Sequence, residues 1–180
     1  MLENRVTSLP ETVIRFFSFF TILTNTLVAI YFTLVSIAKN QESKPINIPG
    51  ILTAITVYII IVGLVYQLVL RQVWDPQGLQ MIVDELLHTV IPILVIIFWS
   101  IYERTKSINY SQILKWAIYP LTYLLYVLIL GSFSNFYPYP FIDVATIGMT
   151  KTLLNSTVLL LIFLMISAFL LMVGKSIIKR

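Results

Sequence analysis

The chain has no cysteine and a single histidine, His88, among its 180 residues. The first absence excludes a disulfide frame and a thiolate nucleophile, and the two together leave no multi-histidine or thiolate metal site. Charge is scarce as well: 11% of residues are Asp, Glu, Lys or Arg, against about 25% in an ordinary soluble domain. No Walker-type phosphate loop, Rossmann glycine run, GxSxG elbow or HExxH pair occurs, so nucleotide enzymes, serine hydrolases of the common fold and zincins have no support. The net charge of +4 comes from basic residues scattered between apolar runs, which argues against a nucleic-acid partner. No metal and no cofactor is expected.

What the chain has instead is apolar surface. Apolar and aromatic residues make up 58% of it, and its mean hydropathy is +0.92. A bilayer-crossing helix uses about 20 residues, so this composition accommodates about five crossings. Long stretches with little charge place them at about 13–38, 50–70, 80–102, 113–131 and 152–174. Glu3 and Glu11 beside a single Arg5, together with the length of the first apolar run, argue against a cleaved signal peptide. The connections are short and polar, and none has room for a second domain. The expected fold is an all-α, polytopic transmembrane bundle forming one domain, in a multi-pass cell-membrane protein.

Cytoplasmic loops hold the excess of Lys and Arg. One side has Arg5, Arg15, Arg71 and Lys151; the other has Lys39, Lys44, Arg104, Lys106, Lys115, Lys175, Lys179 and Arg180. Four against eight puts the amino terminus outside and the carboxyl terminus in the cytoplasm. Most intramembrane polar groups then fall in the outer half.

A polar side chain in hydrocarbon costs about 2.5 to 3.5 kcal/mol, so it faces the bundle interior and finds a partner. Three clusters fit that description. In the first span Ser18, Thr21 and Asn25 stand at i, i+3 and i+7, one helical stripe beside Phe16, Phe17, Phe19 and Phe20. Such a stripe serves either a site or simple helix packing. In the third span Asp84 and Glu85 precede His88 by one turn, and Pro92 follows it by one. A carboxylate there can orient the imidazole, while Pro92 removes the donor for the His88 carbonyl and kinks the helix. His88 alone could equally be a structural hydrogen-bonder. In the last connection Tyr137, Pro138, Tyr139, Pro140 and Phe141 precede Asp143; this segment is either an aromatic interface anchor or a rigid lid holding Asp143 at the mouth of a site. In the fourth span Lys115, Trp116, Tyr119, Pro120, Tyr123 and Tyr126 suit packing and anchoring, and Asn155 in the fifth can bond another helix.

Together these segments resemble a known family. Arg15 through Asn25 (RFFSFFTILTN), Leu87 through Pro92 (LHTVIP), Tyr119 through Tyr123 (YPLTY) with Gly131, and Tyr137 through Val144 (YPYPFIDV) followed by Gly148 are similar to the bacterial Pr6Pr family of integral membrane proteins. The likeness runs from about residue 13 to 160. More remotely the chain is similar to the eukaryotic androgen-induced and androgen-dependent TFPI-regulating membrane proteins, hydrolases of fatty acid esters of hydroxy fatty acids that use an intramembrane threonine and histidine. The resemblance implies Thr21 and His88 as that pair. Those families carry one further hydrophobic helix ahead of the aromatic-threonine motif, so relative to them the chain is expected to be a six-span bundle lacking the first helix. The eukaryotic members also have an acidic residue shortly after the threonine, where this chain has Thr24 and Asn25; an amide cannot act as a base, which leaves that role to His88.

Two readings follow. As an enzyme, Thr21 attacks a lipid ester with His88 as base, Asp84 or Asp143 orients the ring, and Asn25 or a freed backbone group stabilises the oxyanion. Both Thr21 and His88 lie eight residues into their spans, about 12 Å deep at 1.5 Å per residue. Arg15, Ser18, Tyr137, Tyr139 and Asn155 are the expected supporting or substrate-binding residues, and membrane lipids the expected partners. As a non-enzymatic protein, the chain is a small transporter, lipid-binding or assembly subunit. The four motifs show no internal repeat of the kind transporters carry, so transport requires a homo-oligomer.

Overall fold

The computed structural model describes residues 8–38, 48–103 and 107–177, and among them the chain is helical with no strand. Of the cations counted for orientation, Arg5, Lys39, Lys44, Arg104, Lys106, Lys179 and Arg180 lie outside the described residues. Among the described residues five helical segments are long and apolar enough to cross a membrane: Phe20–Ile37, Ile51–Gln72, Leu79–Tyr102, Gln112–Ser134 and Met149–Ser176. Helices are forced here because a backbone in hydrocarbon must satisfy its own hydrogen bonds. The protein is an all-α, multi-pass membrane bundle.

The first expected span is not one helix. A short helix α1 (Leu9–Phe17) is followed by a break at Ser18 and Phe19, and α2 (Phe20–Ile37) starts afresh. In α1, Pro10 sits at the start, where its missing N–H costs nothing, and Arg15 pairs with Glu11 one turn back at 2.6 Å. Leu9, Val13, Ile14 and Phe17 stay exposed, as suits a helix lying against lipid.

Helix α3 (Ile51–Leu68) is the centre of the bundle and packs against α2, α5 (Ile91–Tyr102) and α9 (Met149–Ile177). It carries the most buried stretch of the protein, with Leu52, Val57 and Ile59 fully enclosed. Between α3 and α5 run a one-turn 3-10 segment, a loop, α4 (Leu79–Glu85) and a π-helical turn over Leu86–Val90. The fourth span is α6 (Gln112–Trp116) continued by α7 (Ile118–Ser134). A loop and a single turn α8 (Val144–Ile147) lead to α9, which begins three residues ahead of the expected start.

Two polar anchors tie the bundle together. At the end of α5, Glu103 is 2% exposed; its carboxylate accepts from the Thr53 N–H at 2.8 Å and from the Thr53 hydroxyl at 2.9 Å, and Trp99 Nε1 donates to that hydroxyl at 2.9 Å. A side chain from the end of α5 thus caps the Thr53 amide in the first turn of α3. Glu103→Ala should cost about 2 to 3 kcal/mol by stranding those donors, read as a lowered thermal midpoint in detergent. Further along α3, Tyr58 donates to the Trp116 carbonyl at 2.8 Å and holds α3 to the α6–α7 junction.

Candidate active site

The break between α1 and α2 is made by local and tertiary bonds, since neither Gly nor Pro occurs there. The Ser18 hydroxyl donates back to the Arg15 carbonyl at 2.7 Å, competing with the helical ladder. The Ser18 carbonyl, turned out of the ladder, accepts from Tyr123 of α7 at 2.9 Å. Phe19 is extended and forms the N-cap of α2. Ser18 therefore does not share a helical stripe with Thr21 and Asn25 as the spacing predicted; it is buried as the pivot of the break. The consequence is a helix N-terminus inside the bundle, with Thr21 in its first turn and its backbone N–H outside the intrahelical ladder.

The Thr21 hydroxyl lies 3.2 Å from His88 Nε2, and both residues are buried, at 7% and 8% exposure. His88 stands in the π-helical turn, where the Ile91 N–H reaches five residues back to the Leu86 carbonyl. Pro92 has no N–H for the His88 carbonyl, and that carbonyl instead faces Gly63 of α3, where a methyl group would approach it to 3.1 Å. The kink expected at Pro92 thus takes the form of a widened turn that swings the ring toward α2.

The other ring nitrogen fixes the tautomer. His88 Nδ1 is 2.8 Å from the main-chain carbonyl of Asp84, and a carbonyl oxygen only accepts. Nδ1 therefore carries the proton, and in the neutral ring Nε2 presents its lone pair to the Thr21 hydroxyl. The Asp84 carboxylate stands behind, with Oδ1 at 3.4 Å from Nδ1. Tyr66 stacks on the imidazole at 4.1 Å and 14°. Asn25 Nδ2 donates to the carbonyls of Thr21 at 2.9 Å and Leu87 at 3.4 Å, bracing α2 against the π turn. Both of its donors are engaged there, so Asn25 is a brace and not an oxyanion donor.

On the other side of Thr21 stands Tyr139. Its hydroxyl accepts from the Thr21 N–H at 3.2 Å and lies 3.4 Å from the Thr21 hydroxyl. Burial pushes this phenol above its usual range, with the Thr21 contacts opposing, so it stays protonated and able to donate. The loop that delivers it is rigid. Tyr139 stacks on Phe141 at 5.2 Å and meets Phe19 edge-on at 5.7 Å. Tyr137 rests on Gly131, where a Cβ would lie 2.1 Å from the ring, and Asn155 of α9 donates to the Phe141 carbonyl at 2.9 Å.

Asp143 is corrected by this geometry. Its carboxylate caps α8, accepting from the N–H groups of Ala145 at 3.0 Å and Thr146 at 3.3 Å, and makes no bond to the imidazole. Arg15 is also taken up locally, by Glu11 and by the Phe136 ring at 4.6 Å. So Thr21, His88, Asp84, Asn25 and Tyr139 converge, Ser18 shapes the break, and Tyr137, Asn155 and Asp143 hold the loop. Sequence reading missed Tyr66, a lone tyrosine in an apolar run with nothing to mark it. It also missed a polar chain beside the site, in which Gln67 donates to Thr89, Thr89 to Glu85, and Arg71 to both Gln67 and Glu85.

In front of Thr21 and Tyr139 an apolar cavity of about 110 Å³, open on one side, descends between α3, α7 and α9. His88 does not line it: the base reaches the threonine from behind and the cavity meets it from the front. Among the described residues no three of His, Cys, Asp and Glu cluster to hold a metal ion. Set against family models, curated proteins and solved structures, the chain matches none of them.

Proposed function

We propose that the protein is an intramembrane hydrolase of fatty acyl esters in the cell membrane, with Thr21 as nucleophile and His88 as general base. The observation that carries this reading is the Thr21 hydroxyl held 3.2 Å from His88 Nε2, with the ring tautomer set by a carbonyl on its far side. The resemblance to the Pr6Pr family, and more remotely to the androgen-induced and androgen-dependent TFPI-regulating hydrolases, points to the same two residues.

In the proposed reaction the Thr21 Oγ–H proton passes to Nε2 as Oγ bonds to the ester carbonyl carbon. The resulting imidazolium is stabilised through Nδ1–H by the Asp84 carbonyl and the nearby carboxylate. The carbonyl oxygen, now an oxyanion, is met by the Tyr139 hydroxyl at the N-terminal end of α2, where the helix dipole is positive. The alcohol leaves with the proton from Nε2, giving an acyl-threonine. A water molecule, deprotonated by the same nitrogen, releases the fatty acid and restores Thr21.

A fluorophosphonate probe reports on this reading directly. Purified protein should form one adduct, mapped by mass spectrometry to Thr21, and the adduct should be lost in His88→Ala. Labelling elsewhere, or none from a protein that binds fatty acid through the same cavity, would sink the hydrolase reading in favour of a lipid-binding or transport protein.

A further inference from the structure

The cavity in front of Thr21 has a floor. Its lining residues descend in parallel on two helices, from Val65 to Tyr58 on α3 and from Ser156 to Phe163 on α9. Seven residues on each correspond to about 10 Å at 1.5 Å per residue. The top is set by Thr21, Tyr139 and Phe141, and α9 is fixed at that level by the Asn155 bond to the Phe141 carbonyl. At the bottom the rings of Tyr58 and Phe163 lie nearly parallel, 12° apart at 6.0 Å. Neither ring is free to swing. Tyr58 is held by its bond to the Trp116 carbonyl and by the Tyr119 ring at 4.7 Å, and Phe163 is 3% exposed within the core.

The side wall is open where the floor is closed. Helix α7 packs on α6, meets α2 through Tyr119 and Tyr123, whose rings lie against Phe20 at 5.2 and 4.9 Å, and meets the loop ahead of α8 through Val127 and Gly131. Leu121 of α7 lines the cavity and is also 46% exposed on the membrane face. The route from the bilayer to Thr21 therefore passes beside α7, and what can travel it is a flexible hydrocarbon.

Resting on the hydrolase reading, we infer that the Tyr58–Phe163 floor sets the length of acyl chain the site accepts, with Phe163 as the specificity-determining residue. With carbon–carbon bonds of about 1.5 Å at tetrahedral angles, a 10 Å run holds on the order of eight carbons in extended form. Longer chains must bend out past Leu121. The occupant is thus a linear medium-length acyl group, its carbonyl at Thr21 and its terminal methyl on the Phe163 ring.

A series of 4-methylumbelliferyl esters with four to sixteen acyl carbons tests this with the purified full chain. The wild type should peak in kcat/KM near eight to ten carbons. Phe163→Ala should move the peak to longer chains, raising the twelve-to-eight carbon ratio about ten-fold or more, since one methylene is worth roughly that in a fitted pocket. Phe163→Leu, a milder change should the alanine variant fold poorly, should move it in the same direction by less. An unchanged length profile in folded variants overturns the floor assignment while leaving the hydrolase reading intact. If the wild type hydrolyses no ester, that reading falls, and displacement of a fluorescent fatty acid by unlabelled acids of the same lengths decides the floor by the same shift or its absence.

Discussion

Thr21→Ala is expected to abolish ester hydrolysis, with kcat/KM falling by about 10³-fold or more, because among the described residues no other hydroxyl bonds Nε2. Thr21→Ser keeps the nucleophile and should stay within roughly ten-fold of wild type. His88→Ala should fall by about 10² to 10⁴-fold, the range for a lost general base. Asp84 behaves differently from the acid of a side-chain triad. The atom that fixes the ring is its main-chain carbonyl, 2.8 Å from Nδ1, and Asp84→Ala retains that atom. Its loss should stay near ten-fold, reflecting only the carboxylate at 3.4 Å. These values come from steady-state turnover of a fluorescent fatty ester in detergent, with a thermal melt confirming that each variant is folded. Wild-type rates in Thr21→Ala would exclude Thr21 as the nucleophile.

The second large effect concerns Tyr139. Tyr139→Phe keeps the ring that packs between Phe19 and Phe141 and removes only the hydroxyl, so the loop and the cavity should survive. A missing oxyanion donor costs about 10² to 10³-fold in kcat, and because the donor acts on charge that develops in the transition state, KM should change little. A rise in KM at constant kcat would instead mark Tyr139 as a binding contact. The variant also frees the Thr21 N–H, now bonded to the phenol at 3.2 Å, for the substrate oxygen. Residual activity above that of Thr21→Ala is therefore expected.

The crossings were legible in the sequence because hydrocarbon leaves a backbone few alternatives, and scarce charge marks where helices must run. Thr21 and His88, 67 residues apart, could be paired from depth and resemblance, and the fold brings them into contact. Residues whose role depends on a main-chain group could not be read this way. The break at Ser18 rests on the Tyr123 bond to a carbonyl, and every residue has a carbonyl, so no side-chain pattern announces it. The placement of Asp143 misled for a related reason: an Asp ahead of a short helix caps it wherever the free amides are nearest. Glu103 looked like a connecting residue and is a buried cap on α3, which depends on how α5 ends beside the start of α3.

The sequence by itself determined a membrane-spanning helical bundle and a short list of polar side chains that hydrocarbon will not tolerate unpaired, because both follow from the transfer cost of polar groups residue by residue. Only the tertiary structure decided that α2 begins inside the bundle, that a π-helical turn presents Nε2 of His88 to Thr21, and that Tyr58 and Phe163 close a cavity below them. Those features depend on which carbonyls, amides and rings meet when helices distant in the chain pack together. That meeting is a property of helix register and close approach, as at Gly63 and Gly131, and composition and spacing along one helix do not encode it.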